Sequence, residues 1–209
     1  MPGMLQIKSF VFGPFETNTY VVSDAQGNVL LFDPACSDEY EQQQLLHYIK
    51  KLTANSQKPI AILATHGHLD HLWGAKWATD RWHTPVLMHE ADIPMAQAMQ
   101  AQYDLFGVRR KAEPFPIEPL SNDKLPMTNV SILSTPGHTP GSVCLYCAEE
   151  KILFSGDTLF HCGYGRTDLP GGNMAQLISS LEHLFTLPPD TQVFPGHGDF
   201  TVLSHEKYR

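Results

Sequence analysis

The sequence predicts an α+β protein in which two sheets form a sandwich and helices cover the outside. Short apolar runs rich in Val, Ile, Leu, Phe and Tyr recur in both halves, separated by turn residues and interleaved with helical patterns. The order strands, helix, strand, loop occurs twice without a visible sequence repeat, and the strands of both runs look antiparallel. The 209 residues therefore fit one domain built from two halves, about 1–115 and 116–209.

The first half is predicted to open as a β-meander and to continue with alternating helices and strands. Ser37 can cap a helix in which Leu45, Ile49 and Leu52 share one face. Residues 100–119 contain three prolines and no sustained period, which predicts a surface insertion that serves either as a lid or as a plain connector. The predicted strands are 5–12, 18–23, 28–33, 60–64 and 85–88, and the predicted helices are 37–52, 72–82 and 91–102.

The second half is predicted to contain four strands and one helix, which Asn173 caps. The strands are 130–135, 142–147, 151–154 and 192–194. Cys144 and Cys147 form a C-x-x-C inside an apolar strand, where positions three apart point to opposite faces, so we expect buried structural thiols. The four cysteines are too few and too scattered for a disulfide framework.

Charge and hydropathy exclude several classes of partner. A formal net charge of -8 with 14 basic residues does not favour binding to nucleic acid, because phosphate recognition requires clustered Lys and Arg. The N-terminus lacks the pattern of a signal peptide, and no apolar stretch approaches the length of a membrane span. We therefore expect a cytoplasmic protein without nucleic-acid or membrane partners, and the sequence leaves its oligomeric state open.

Metal-capable residues follow four of the predicted strands. Residues 65–71 read Thr-His-Gly-His-Leu-Asp-His, and three further strand ends lead into glycine turns that each present a His or an Asp. Each short motif alone is typical of a turn, but together they indicate a metal site. Five imidazoles and two carboxylates are too many for one tetrahedral ion and suit two ions of Zn, Fe or Mn. The candidate ligands are His66, His68, Asp70, His71, His138, Asp157 and His197.

The ligand set is chemically consistent if one carboxylate bridges two ions. We assign three histidines to the first ion, His66, His68 and His138. The second ion takes Asp70, His71 and His197. Asp157 spans both, which leaves a shared position for water or hydroxide. Asp33, which ends the third strand before a proline, is either a turn-capping carboxylate or the acid that orients a ligand imidazole.

The four motifs, H-x-H-x-D-H, G-H-T-P-G-S, S-G-D-T and P-G-H-G, resemble the metallo-β-lactamase superfamily over about residues 5–200. The resemblance implies a four-layer αββα sandwich with a dinuclear site, and hydrolysis in most members. The zinc β-lactamases place a Cys at the position of Asp157, which disfavours antibiotic hydrolysis. The flavodiiron proteins use Glu at the position of His68, and the tRNA-processing and nuclease branches carry additional motifs.

Residues 154–168 are similar to a loop of glyoxalase II. Arg166 occupies the place of a Lys that helps to hold glutathione there, which makes it a candidate for binding a substrate carboxylate; its alternative role is a structural pair with Asp168. The sequence ends twelve residues after His197, so we expect no C-terminal substrate domain of the glyoxalase II kind. The sequence as a whole resembles the single-domain bacterial glyoxalase II-like hydrolases. His161 and His89 are further candidates for lining the pocket.

The resemblance implies a hydrolase of small thioesters such as S-lactoylglutathione. A metal-bridging hydroxide would attack the carbonyl, with Asp70 and Asp157 as the catalytic residues, two divalent ions as cofactors and zinc as the first choice. Two alternatives stay open. A mono-iron persulfide dioxygenase shares the G-R-T-D motif and would use His66, His138 and Asp157, and a non-catalytic metal-binding protein would close its coordination shell.

Overall fold

The computed structural model describes residues 5–52, 59–122, 125 and 130–207. The chain divides into two compact units, Met1–Leu120 and Ser121–Arg209. Each unit contains a mixed β-sheet, and helices connect or follow its strands. Among the described residues, no helix is both long and apolar enough to cross a membrane.

The first unit contains a six-stranded sheet with the strands in chain order. Its strands are β1 (Gln6–Phe12), β2 (Thr17–Ser23), β3 (Val29–Phe32), β4 (Ala61–Leu63), β5 (Val86–Met88) and β6 (Ile117–Pro119). Its helices are α1 (Glu39–Leu52), α2 (Ala75–Trp82), a 3-10 turn at Glu90–Asp92, α3 (Ile93–Gln97) and α4 (Met99–Leu105).

Pairing in this sheet changes from antiparallel to parallel at β3. Strands β1, β2 and β3 form the predicted meander, whereas β3, β4, β5 and β6 run parallel. The predicted meander is therefore confirmed, and the parallel pairing of the later strands was not predicted. The sequence contains the physical reason, because β4 and β5 are continuous apolar runs with every residue buried, which is typical of parallel strands.

Several boundaries in this unit differ from the predicted ones, and α2, predicted from residue 72, begins at Ala75. The helix predicted at 91–102 is broken at Ala98, whose backbone leaves the helical region, so that α3 and α4 are separate. The stretch 100–119 is not an irregular insertion throughout, because it contains most of α4 and the edge strand β6, where a proline costs no ladder hydrogen bond. Asp38, rather than Ser37, caps α1 by accepting from Glu41 N at 2.8 Å.

The second unit contains a five-stranded sheet of order β13-β12-β9-β8-β7 and a short hairpin. Its main strands are β7 (Val130–Ser134), β8 (Val143–Cys147), β9 (Ile152–Gly156), β12 (Gln192–Pro195) and β13 (Thr201–Val202). The hairpin is β10 (Leu159–Phe160) with β11 (Gly163–Tyr164), and the helices are α5 (Met174–Leu184) and α6 (Leu203–Glu206). The hairpin, β13 and α6 were not predicted, because each is only two to four residues long.

Two predictions for this unit are confirmed by the side chains. Asn173 caps α5 by accepting from Gln176 N at 3.1 Å. Cys144 and Cys147 are buried in β8 and form no disulfide among the described residues. Burial raises the pKa of Cys144 to about 11 and that of Cys147 to about 12, because a thiolate loses its hydration there.

Candidate metal centre

The ligand loop, defined as residues 65–71, leaves the end of β4 and carries four of the predicted metal ligands. His66 Nε2 lies 3.1 Å from His68 Nδ1, and His71 Nε2 lies 3.4 Å from an Asp70 carboxylate oxygen. The three imidazoles are buried, and the carboxylate is partly exposed. The loop thus groups its donor atoms into two pairs, and the members of each pair are close enough to contact the same ion.

Asp33 follows β3 and binds the ligand loop at three atoms. One carboxylate oxygen accepts from Thr65 N at 2.7 Å, and the other accepts from the Thr65 hydroxyl at 2.8 Å and from His71 Nδ1 at 2.9 Å. The Thr65 hydroxyl, which donates its proton to Asp33, accepts from His66 Nδ1 at 3.1 Å. Asp33 therefore orients His71 directly and His66 through Thr65, with the Nε2 lone pair of each ring directed away from the carboxylate.

Two side chains that sequence reasoning missed hold the turn of the ligand loop. A carboxylate oxygen of the buried Asp92 accepts from Gly67 N at 2.8 Å. The Gln102 side chain accepts from Leu69 N at 2.9 Å and donates to the Gly67 carbonyl at 2.9 Å. A Cβ on Gly67 would lie 3.0 Å from the Asp92 carbonyl oxygen, so glycine permits this close approach. The side chains of Asp92 and Gln102 therefore hold the loop, although neither residue belongs to one of the sequence motifs.

Asp70 is held by the first hairpin of the unit. The hydroxyl of Thr17, the first residue of β2, donates to the Asp70 carboxylate oxygen at 2.9 Å. The same oxygen is the one that faces His71 Nε2. Thr17 therefore limits the directions in which this carboxylate can point, and it too lies outside the sequence motifs.

We expect Gln102→Ala to lower metal affinity and kcat/KM by about tenfold, the lower end of the range for residues that support metal ligands. The substitution removes the hydrogen bonds to both sides of the loop turn without touching a ligand. Metal content after dialysis against a weak chelator and steady-state kinetics measure the two effects. Gln97→Ala, an exposed glutamine on the neighbouring α3, is the matched control. Equal metal content and equal kcat/KM in the two variants would show that the hydrogen bonds of Gln102 to the ligand loop have no functional effect.

The second donor set lies at the ends of β9 and β12 and in the turn after β7. Strands β9 and β12 are parallel neighbours, so Asp157 and His197, which follow them, emerge at the same edge of the sheet. One Asp157 carboxylate oxygen lies 3.5 Å from His138 Nε2 and 3.5 Å from His197 Nε2. The unit thus places one anionic oxygen between two imidazole nitrogens.

The loop after β11 fixes the orientation of His138. Its Nδ1 donates to the Arg166 carbonyl oxygen at 2.7 Å, which assigns the proton to Nδ1 and the lone pair to Nε2. Gly165 packs so closely on the strand end that a Cβ there would overlap the Asp157 carbonyl oxygen. A glycine at this position therefore lets the loop approach both Asp157 and His138.

The donor atoms fit divalent metal ions. At His71 and at His138 the ring nitrogen with the lone pair faces a carboxylate oxygen, an arrangement that is repulsive unless a cation lies between the two atoms. The separations of 3.4 and 3.5 Å exceed a charge-assisted hydrogen bond. They match the roughly 3.4 Å between two ligands of a tetrahedral ion whose bonds are about 2.1 Å long.

The remaining candidate residues have different surroundings. The Arg166 guanidinium forms two hydrogen bonds with the Asp168 carboxylate, each 2.6 Å long, and both side chains are exposed. The hydrogen bond from Arg166 lowers the pKa of Asp168 to about 2, so this pair stays ionised throughout the neutral range. His89 caps the 3-10 turn by accepting from Ala91 N, and His161 contacts Cys162 and Glu206.

Curated relatives align with nearly the whole chain. The family model of the metallo-beta-lactamase superfamily matches residues 12–197. A probable metallo-hydrolase of Bacillus subtilis (strain 168), YqgX, is 37% identical over 201 residues, which are 93% of this chain and 91% of the relative. The hydroxyacylglutathione hydrolase GloC of Haemophilus influenzae is 32% identical over 199 residues, with 92% and 91% of the two chains covered.

Solved structures agree with this placement. The crystal structure of TTHA1623 in a di-iron-bound form is 34% identical, with a TM-score of 0.84 over 96% of this chain and 97% of the other. The crystal structure of the BLEG-1 B3 metallo-beta-lactamase is 32% identical, with a TM-score of 0.81 over 96% and 95% of the two chains. The predicted α+β class and fold are confirmed. The chain belongs to the metallo-β-lactamase superfamily.

Proposed function

We propose that the two donor sets bind two divalent metal ions in the arrangement inferred from the sequence. His66, His68 and His138 hold the first ion, and a second trio holds the other, with Asp157 shared between them. The second trio is Asp70, His71 and His197. The pairs within each unit support this assignment, since each spacing fits ligands of a common ion. Zinc and iron both suit imidazole and carboxylate ligands, and the related di-iron-bound structure makes iron a concrete alternative.

On this centre we propose hydrolysis of small thioesters, with S-lactoylglutathione or a similar acyl thioester as substrate. The observation that carries the proposal is the carboxylate oxygen of Asp157 lying between two imidazoles, beside the loop that presents Arg166. The 32% identical relative named hydroxyacylglutathione hydrolase supports this substrate class. The 37% identical relative named a probable metallo-hydrolase supports cleavage by water.

The residues of the chain have separate roles in this reaction. Two divalent ions supply Lewis-acid polarisation of the carbonyl and a more acidic water nucleophile. Asp70, positioned by Thr17, accepts a hydrogen bond from the attacking water and orients it. Asp33 and the Arg166 carbonyl keep the imidazoles of His71 and His138 in the tautomers that leave Nε2 unprotonated. The leaving thiolate needs no protein acid, because it departs readily as an anion.

The test combines metal analysis with three substrates. Purified protein is analysed for bound zinc, iron and manganese and is then assayed with S-lactoylglutathione, with glutathione persulfide under an oxygen electrode and with a β-lactam. Two metal ions per chain and thioester hydrolysis support the proposal. The β-lactam is included because a B3 metallo-beta-lactamase is among the similar structures. Turnover of the β-lactam in place of the thioester would contradict the proposal.

Persulfide oxidation is the second candidate function. The observation that favours it is the Gly165–Asp168 sequence G-R-T-D, which persulfide dioxygenases share, together with a related protein that binds iron. One iron per chain with oxygen uptake on glutathione persulfide supports this candidate and excludes thioester hydrolysis as the main activity.

We expect Arg166→Met to raise KM for S-lactoylglutathione by about threefold to tenfold with little change in kcat, as for the loss of one exposed charge-assisted contact. Asp168 occupies Nε and one terminal nitrogen of Arg166, so further N–H groups of the exposed guanidinium can bind a substrate carboxylate. An uncharged thioester should show no change in KM. Arg81→Met, at an exposed arginine of α2, is the control. An unchanged KM for the anionic substrate would show that Arg166 does not bind the substrate and serves only in its structural pair with Asp168.

A further inference from the structure

A second group of reactive side chains lies on the β10–β11 hairpin of the second unit. His161 and Cys162 form the two-residue turn between Leu159–Phe160 and Gly163–Tyr164. Glu206, at the end of α6, faces them from a position 44 residues away. The ligand atoms of the three residues all lie within 4.8 Å of one another. None of the three belongs to the proposed metal centre.

The group has the geometry of a nucleophile, a base and an orienting acid. His161 Nδ1 lies 3.3 Å from a Glu206 carboxylate oxygen, and His161 Nε2 lies 3.3 Å from Cys162 Sγ. A proton on Nδ1 suits the neighbouring carboxylate, and this tautomer leaves the Nε2 lone pair on the side of the thiol. A base held by a third group in this way is the arrangement that activates Ser and Cys nucleophiles.

Glu206 is fixed in place by further contacts. It is 5% exposed, and its two carboxylate oxygens accept from Thr201 Oγ1 at 2.6 Å and from Cys162 N at 2.8 Å. The backbone of Cys162 has a φ of 60°, a left-handed conformation that a residue other than glycine adopts at a cost of about 1 kcal/mol. The hydrogen bond to Glu206 stabilises this conformation and keeps the thiol beside the imidazole.

The geometry favours thiol activation over metal binding at this group. One ion bound by all three side chains would need the same ring nitrogen to face both the carboxylate and the thiol. Here the short contacts use different ring nitrogens, Nδ1 towards Glu206 and Nε2 towards Cys162. The position is also accessible, because Cys162 and His161 are exposed.

We propose that Cys162 is a nucleophilic thiol that forms mixed disulfides with small-molecule disulfides, with His161 as its base and Glu206 as the group that orients the base. His161 Nε2 takes the thiol proton, and Sγ attacks one sulfur of the disulfide. A bond forms between Sγ and that sulfur while the S–S bond of the reagent breaks. The departing thiolate takes the proton back from the imidazolium, so the reagent leaves as one thiol and the other half stays on Cys162.

The other three cysteines provide an internal control. Cys36, Cys144 and Cys147 are at most 1% exposed, and burial raises the pKa of each thiol, to about 12 for Cys36. In the folded chain they should therefore resist modification. Their labelling reports unfolding, so a variant that loses its fold is recognised in the same experiment.

The test uses the full chain with hydroxyethyl disulfide, an uncharged probe, and peptide mass mapping. We expect a single adduct on Cys162, formed about tenfold faster than on the same thiol in the chain unfolded by guanidinium, as for a thiol with an adjacent base. His161→Gln should lower the rate to that of the unfolded chain at about pH 7 and show no deficit at about pH 10, where the solvent removes the proton. Glu206→Gln should also lower the rate of adduct formation at about pH 7.

His205→Gln, an exposed histidine of α6 outside the group, is the matched control and should react at the rate of the natural sequence. A folded His161→Gln variant that reacts at the natural rate overturns the proposal and makes Cys162 an ordinary exposed thiol. A native rate equal to that of the unfolded chain has the same meaning. Tight zinc binding at His161, Cys162 and Glu206 with protection of the thiol would also overturn it.

Discussion

Asp157→Asn is expected to lower thioester turnover by about a hundredfold to a thousandfold, or roughly 3–4 kcal/mol of transition-state stabilisation. One oxygen of this carboxylate lies 3.5 Å from the Nε2 atoms of both His138 and His197, as the proposed role of a shared ligand requires. Asparagine keeps the shape of the side chain but replaces the anion by a neutral amide. The Asp157→Asn variant is therefore expected to fold normally and to hold less metal.

Metal content and kinetics of the same preparation test this expectation. Asp190→Asn is the matched control, because Asp190 is an exposed carboxylate of the same unit that pairs with Lys151. Its turnover and metal content should equal those of the natural sequence. Full turnover of a metal-replete Asp157→Asn variant would falsify the role of Asp157 as the shared ligand.

Asp33→Asn is expected to reduce metal affinity and kcat by about tenfold to a hundredfold, the range for residues that orient metal ligands. The Asp33 carboxylate accepts from Thr65 N, from the Thr65 hydroxyl and from His71 Nδ1. An amide cannot accept at all three, since its NH2 group must face one of these donors. The His71 ring then turns or changes tautomer, and its Nε2 lone pair is no longer available to bind the metal.

A chelator titration, followed by the return of activity, measures this loss of affinity. Asp80→Asn is the control, because Asp80 is an exposed acid of α2 in the same unit, paired with Lys76. A lower melting temperature is expected for Asp33→Asn, since buried donors lose their partner. If the variant melts earlier but keeps its metal affinity, Asp33 is the turn-capping carboxylate that the sequence also allowed.

The candidate ligands could be proposed from the sequence because each lies inside a short motif at a strand end. His66, His68, Asp70 and His71 occupy six consecutive positions, so their proximity follows from the chain itself. His138, Asp157 and His197 could be recognised because glycine turns after apolar runs are visible in sequence. The element boundaries of the second unit were predicted for the same reason, within two residues for most strands.

The supporting residues could not be found in this way. Asp92 and Gln102 contact the ligand loop across 25 to 35 residues of sequence, and both lie where one continuous helix was predicted. The break at Ala98 separates α3 from α4 between them, and helical periodicity does not contain that information. Thr17 is an ordinary strand residue until the hairpin places its hydroxyl on Asp70.

By itself the sequence determined the family and indicated the candidate donor residues and the class of metals that those residue types suit, because these properties depend on residue types at short spacing. Only the tertiary structure decided which nitrogen of each imidazole carries the proton, which strands run parallel, and which side chains hold the ligands in position. It also brought Glu206 to His161 and Cys162. Such contacts join residues that are distant in sequence, and their directions depend on backbone geometry that local patterns do not specify.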